Sequence, residues 1–250
     1  MLAAADLYND LEPLPRRQWR DVVPGLVVAV LATMAAAFLS DHYGAPLTLM
    51  ALLIGLALNF LGADPRMAPG LGFASRTLLR WGIVLVGARI TFAQVAALGP
   101  GTLLAVVAVL LLTLAAGILA ARAAGFDAAF GTLAGGAVAI CGASAAMALA
   151  TTLGERRISG AQLALVLVGI SAASSAAMFF YPLVCHQLGL SDTAAGFVTG
   201  AAIHDVAQAL GAGYSFSERA GEVAAIVKLT RVALLAPVLA LVAAMFRRRE

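Results

Sequence analysis

Three polar side chains fall within five residues of one another in a stretch that is otherwise small and apolar. They are His204, Asp205 and Gln208, inside Gly196–Gly213 (GFVTGAAIHDVAQALGAG). An imidazole can take up or release a proton near neutral pH, a carboxylate can ligate a cation, and a primary amide donates and accepts at once. His204 and Gln208 are one helical turn apart and share a face. A second stretch of the same character, Gly131–Leu153, has its polar centre at Cys141 and Ser144 around Gly142. Further on, Lys228 and Arg231 lie three residues apart on one helical face. The chemistry available is therefore ion or proton handling at His204, Asp205 and Gln208, and a positive counter-charge from Lys228 or Arg231. Helix-end amides join these where Gly135, Gly136 and Gly142 loosen the helix near Cys141, because a half-helix N-terminus is an anion site. Each feature has a structural counterpart. Polar groups tie membrane helices together, small residues pack them, and the two cations can form ion pairs with Asp205 and Glu222. A Cys141–His204–Asp205 nucleophilic arrangement is conceivable, but no spacing singles it out.

The elements that must position these residues are helices in a bilayer. The 250 residues are 62% hydrophobic and 12% charged, with mean hydropathy +0.97, far from the near-quarter charged composition of soluble domains. The apolar runs are helix-length, not the ~10-residue alternating segments of a barrel. At mid-bilayer each charge costs about 2.5–3.5 kcal/mol even on mild scales, so an intramembrane polar cluster reads first as a functional one. The net charge of +3 lies mostly in loop arginines, which is a topology signal and not a nucleic-acid surface. No metal-ligand spacing, nucleotide loop or dinucleotide fingerprint occurs, so neither metal nor cofactor is expected. Cys141 and Cys185 are too few and too deep in apolar sequence for a disulfide framework.

Read in order, the chain opens with a polar segment, 1–21, carrying Arg16, Arg17 and Arg20, with no signal-peptide pattern. Spans are expected at about 22–39, 45–61, 71–98 and 102–121. They are followed by the Gly-rich segment 127–153, a span at 158–185, the Gly-rich segment 192–213 and a last span at 221–246. The whole forms a single transmembrane domain. Arg76, Arg80 and Arg89 in the third span read as interfacial anchors, Arg80 being the strongest candidate for more. The two late blocks repeat weakly: Gly131-x3-Gly135 parallels Gly196-x3-Gly200, and Glu155-Arg156 parallels Glu218-Arg219. Internal repeats are common in transporters.

Lys and Arg counts place the N-terminus and the loops at 62–70 and 122–127 in the cytoplasm. Two arrangements remain. If 127–153 and 192–213 cross fully, there are eight crossings and Arg156-Arg157 lies outside. If both are re-entrant, there are six, Arg156-Arg157 lies inside, and the segments enter from opposite faces. The charge rule favours the second.

Several ordered motifs resemble the YeiH-type family of bacterial inner-membrane proteins, usually described as sulfate exporters. They are Ile140-Cys141-Gly142-Ala143-Ser144-Ala145, His204-Asp205-Val206-Ala207-Gln208 and Lys228-Leu229-Thr230-Arg231-Val232, followed by Leu235-Ala236-Pro237. Gly55-Leu56-Ala57-Leu58-Asn59 and Leu78-Leu79-Arg80-Trp81-Gly82-Ile83 extend the similarity to roughly residues 20–246. The resemblance implies a secondary-transporter fold akin to the bile-acid and cation–proton antiporter group, with broken helices at mid-membrane. Two departures stand out. The acidic position that is usually Glu is Asp205, one methylene shorter. Members also continue for about three further spans, so the expectation is either a truncated product or helices supplied by another chain.

The expected protein is thus an all-α, multi-pass inner-membrane protein and not an enzyme. It is expected to be a secondary transporter exporting sulfate or a related sulfur-containing anion. Cys141, Gly142, Ser144, His204, Asp205, Gln208, Lys228 and Arg231 would form its substrate and ion site. Its expected partners are the lipid bilayer, the small inorganic or organosulfur anion and a coupling proton or sodium ion, with room for a homo-oligomer and no nucleic acid. The alternatives are a channel-like or sensory membrane protein and, further off, an intramembrane enzyme using Cys141.

Overall fold

The computed structural model describes residues 19–247, and every regular element among them is helical. Arg16 and Arg17 of the N-terminal segment lie outside the described residues. The chain opens with α1 (Trp19–Tyr43) and α2 (Leu47–Ala57), the latter continuing as a 3-10 turn Asn59–Ala63. Next come α3 (Ala68–Phe73), a π turn Ala74–Leu78 and α4 (Leu79–Arg89). The third span therefore ends at Arg89 and not near residue 98. Thr91 and Gln94 form a capping box that starts the short α5 (Phe92–Ala97), which satisfies helix-end N–H groups and so begins a new element. The fourth span is α6 (Gly99–Ala123).

The two Gly-rich segments each form a pair of half-helices. The first pair is α7 (Ala128–Ala139) and α8 (Ala143–Leu153), followed by the long α9 (Gly160–Gln187). The second is α10 (Asp192–Ala202) and α11 (Val206–Phe216), followed by α12 (Glu218–Ala233) and α13 (Leu235–Arg247). Local sequence sets these boundaries. Asp127, Ser159, Ser191, Asp205 and Ser217 each accept a backbone N–H of the helix they precede, the usual role of Ser and Asp at N-caps. Each half-helix has 11 or 12 residues, or about 17 Å at 1.5 Å per residue, roughly half of a hydrocarbon core.

Both pairs fold back on themselves. In the second, a β-carbon on Gly196 of α10 would come within 2.5 Å of Ala220 O, and one on Gly213 of α11 within 3.1 Å of the same atom. Residues on both sides of the turn thus reach one level of α12. Gly200 likewise meets Ala224, so α10 runs parallel to α12 and α11 returns antiparallel. In the first, a β-carbon on Gly136 would lie 2.5 Å from Leu149 Cδ1, which a continuous helix would hold about 20 Å away. Of the two arrangements open to the sequence, this is the re-entrant one. The first hairpin packs on α6, where Gly117 and Gly135 let the backbones touch.

The long helices tie the hairpins end to end. α9 starts beside the base of the first hairpin and finishes beside the base of the second, where Cys185, Ala195 and Ala220 share a cluster. The span formed by α12 and α13, Glu218–Phe246, runs the opposite way. It leaves the base of the second hairpin and ends where Arg157 Nη2 donates to Phe246 O at 3.2 Å, beside the base of the first. The weak sequence repeat is therefore a topological one, hairpin then span, repeated in the inverted sense. Five described helices are long and apolar enough to cross a membrane: Trp19–Tyr43, Ala68–Arg89, Gly99–Ala123, Gly160–Gln187 and Glu218–Phe246. The protein is an all-α polytopic membrane protein.

Candidate functional site at the hairpin tips

The tips of the two hairpins meet. The first turns at Ile140-Cys141-Gly142, with Gly142 at φ +74°, a left-handed region that glycine enters without penalty. A β-carbon there would stand 3.0 Å from Ile170 Cγ2 on α9 and 3.7 Å from His204 at the other tip. The second turns at Ile203-His204-Asp205. Ser174, near the middle of α9 and fully buried, accepts from His204 N at 3.1 Å and from Asp205 N at 2.9 Å. Asp205 Oδ1 accepts from Gln208 N at 3.1 Å, capping α11. Gln208 Nε2 donates to Ser175 Oγ at 3.1 Å.

Lys228 and Arg231 clasp both tips from the middle of the α12–α13 span. Their side chains are 0% and 1% exposed. Lys228 Nζ donates to Ile140 O at 3.1 Å and to Ile203 O at 2.7 Å, one carbonyl from each hairpin. Arg231 donates through Nε to Ala139 O at 2.9 Å and through Nη2 to Val138 O at 3.0 Å. Its Nη1 bonds Ala201 O, and Nη2 also bonds Ala139 O. The last carbonyls of a helix have no partner within it, and hydrocarbon supplies no water to satisfy them. Two inward-pointing helix C-termini also bring roughly half a negative charge each. The two cations answer both needs. Among the described residues neither forms an ion pair with Asp205 or Glu222, as the sequence reading had weighed. Glu222 instead pairs with Arg219 at 3.0 Å.

The eight residues singled out from sequence divide accordingly. Cys141, Gly142, His204, Asp205, Gln208, Lys228 and Arg231 converge on the tips. Ser144, on the first turn of α8, is exposed, as are Arg76, Arg80 and Arg89. Ser174 and Ser175 were missed; their only signal was a pair of adjacent hydroxyls midway along a long apolar helix. Among the described residues no group of three His, Cys, Asp or Glu side chains is placed to hold a metal.

Among the described residues, two buried polar atoms at the tip lack a hydrogen-bond partner: His204 Nδ1 and Gln208 Oε1. Buried polar groups are normally satisfied; the imidazole nitrogen can give or accept a bond there, and the amide oxygen can only accept one. The donor inventory points the same way. A guanidinium has five N–H groups and an ammonium three. The bonds described use four and two. In ordinary charge states Lys228 and Arg231 exceed Asp205 by about one positive charge. The half-helix N- and C-termini, at roughly half a charge each, offset one another. Beside the tips, between α6, α7 and α10, lies an open cavity of about 370 Å³ lined in part by Arg231 and His204.

Over 23–250 the chain matches the family described as Conserved hypothetical protein 698. It is 48% identical over 219 residues to UPF0324 membrane protein TauZ of Paracoccus pantotrophus, covering 87% of this chain and 65% of that protein. It is 48% identical over 215 residues to UPF0324 membrane protein RA0957 of Rhizobium meliloti, with 86% and 61% covered. It is 44% identical over 228 residues to UPF0324 membrane protein CT0845 of Chlorobaculum tepidum, with 91% and 64% covered. The chain thus spans under two thirds of the length of these relatives. No solved structure matches it.

Proposed function

Because the chain belongs to the Conserved hypothetical protein 698 family of UPF0324 membrane proteins, we propose a function for the site that its family-typical motifs build. The protein is a secondary transporter, not an enzyme. It moves a small anion, sulfate or a related sulfur-containing anion, outward across the bacterial inner membrane.

One observation carries this reading. Two oppositely directed re-entrant hairpins meet tip to tip around two buried basic side chains, Lys228 and Arg231, with His204 Nδ1 unpartnered beside them among the described residues. Half-helix ends at mid-membrane are a recurring way to present fixed dipoles to an ion where irregular backbone would otherwise be costly. In this reading Lys228 and Arg231 hold the tips together and supply the field that attracts the anion. The α8 N-terminus behind Gly142 adds backbone donors. His204 and Asp205 carry a coupling proton, since both lie on the turn of the second hairpin and one ring nitrogen is unpartnered. The inverted repeat gives the site one hairpin from each side, so that a path can open past one while the other stays closed.

The test is sulfate or sulfite efflux from cells or proteoliposomes holding the full chain, with and without His204→Ala. The reading expects saturable flux that depends on a proton gradient and falls at least ten-fold in the variant. Unchanged flux in His204→Ala would overturn the proton role, and non-saturable flux would favour a channel.

A further inference from the structure

We infer that the anion is a small organic monoanion, with its charged head at Arg231 and His204 and its carbon portion in the cavity beside them. This rests on the reading of the tips as an anion site and narrows it. The cavity of about 370 Å³ falls within the size range of small-molecule sites, about 300–1,000 Å³. Its two ends differ chemically. Arg231 and His204 lie where the tips meet, while Val109, Val138, Phe197 and Val198 make most of the rest hydrocarbon, with the Thr113 hydroxyl the one other polar side chain of the lining. A tetrahedral dianion placed there would lose its hydration on every side and regain hydrogen bonds on one, a heavy penalty for a charged group. A molecule with one anionic end and a short carbon end is satisfied at both.

The charge at the tips agrees. Lys228 and Arg231 spend most of their N–H groups on Val138, Ala139, Ile140, Ala201 and Ile203 carbonyls. The bonds described leave one N–H on each, which suits one small anionic head beside Asp205 and is too few to replace the hydration of a dianion. His204 Nδ1, unpartnered and buried, can complete the head-group bonding in its protonated tautomer.

The test is calorimetric binding to the full chain in detergent with sulfate, methanesulfonate, ethanesulfonate and propanesulfonate, and with acetate and propionate as carboxylate counterparts. The expected result is that ethanesulfonate or propionate binds at least ten-fold tighter than sulfate. Affinity should rise from methanesulfonate to propanesulfonate as the carbon portion fills the cavity. Val198→Phe, which narrows the cavity four residues back along α10 from its tip end at Ala202, should weaken propanesulfonate at least five-fold more than methanesulfonate. If that variant does not fold, the chain-length series on the unaltered protein decides alone. Sulfate binding as tightly as the organic anions, or affinity independent of chain length, overturns the inference while leaving an anion site standing. Binding of no anion at all overturns both.

Discussion

Gly142 of the first hairpin lies against His204 of the second, so close that a β-carbon on the glycine would stand 3.7 Å from the histidine's own. The contact joins two segments 62 positions apart at the centre of the fold, and it works because Gly142 sits at φ +74°. Gly142→Ala therefore puts a β-carbon on a backbone at φ +74°, ψ −122° that residues other than glycine scarcely adopt, at about 1–3 kcal/mol, and must push Ile170 aside. Thermal unfolding in detergent should show a clear drop for this variant. Gly169→Ala, in α9 with open space at its β position, should hold or raise stability.

Removing the clasp should cost more. Lys228→Met fills similar volume but leaves Ile140 O and Ile203 O without their shared donor, at about 1–3 kcal/mol for each buried carbonyl. Arg231→Lys keeps the charge yet cannot fork across Val138, Ala139 and Ala201. Both should lower the unfolding temperature well below that of Arg219→Ala, which removes a part-exposed ion pair contributing about 0–1 kcal/mol. Equal stability in all three would mean the buried cations do not hold the tips.

Ser174→Ala deletes one hydroxyl that accepts from two backbone N–H groups at the second tip. The account expects a loss of roughly 1–3 kcal/mol together with a loss of anion binding, because the tip loses its anchor on α9. Ser175→Ala removes the bond from the Gln208 side chain and a bond to the Ser171 carbonyl one turn back in its own helix, and should affect binding more than stability.

Sidedness follows from the fold-back. Single cysteines at Ala124 and Arg156, at the base of the first hairpin, should react with impermeant thiol reagents from the same face. Cysteines at Gly189 and Glu218, at the base of the second, should react from the other. The positive-inside rule makes the first face cytoplasmic. Labelling of Ala124 and Arg156 positions from opposite faces would contradict the first hairpin.

Much of this was legible in residues. The two Gly-rich segments and the Ser and Asp caps at 127, 159, 191 and 205 carry local signals that sequence displays directly. What could not be read has physical reasons. A glycine break between two short helices has the same hydropathy whether the chain continues or turns back, so only Gly136 against Leu149 and Gly213 against Ala220 distinguish them. Lys228 and Arg231 suggested carboxylate partners because side chains are visible in sequence. Their partners are backbone carbonyls, which every residue has. The early end of the third span at Arg89 was readable in Thr91-x-x-Gln94 and was obscured by the apolar run around it.

The central claim is that the joined tips bind an anion through His204 and Gln208 in the field of Lys228 and Arg231. Binding tests this more directly than flux, because it needs only the tips and not the full cycle of movement. The measurement is titration of the purified chain with ethanesulfonate, comparing the unaltered protein, Arg219→Ala and the double variant His204→Ala/Gln208→Leu, each checked for helical content by circular dichroism. The account predicts saturable binding in the first two and at least ten-fold weaker binding in the folded double variant. Binding of equal strength in all three would place the anion elsewhere and contradict the account.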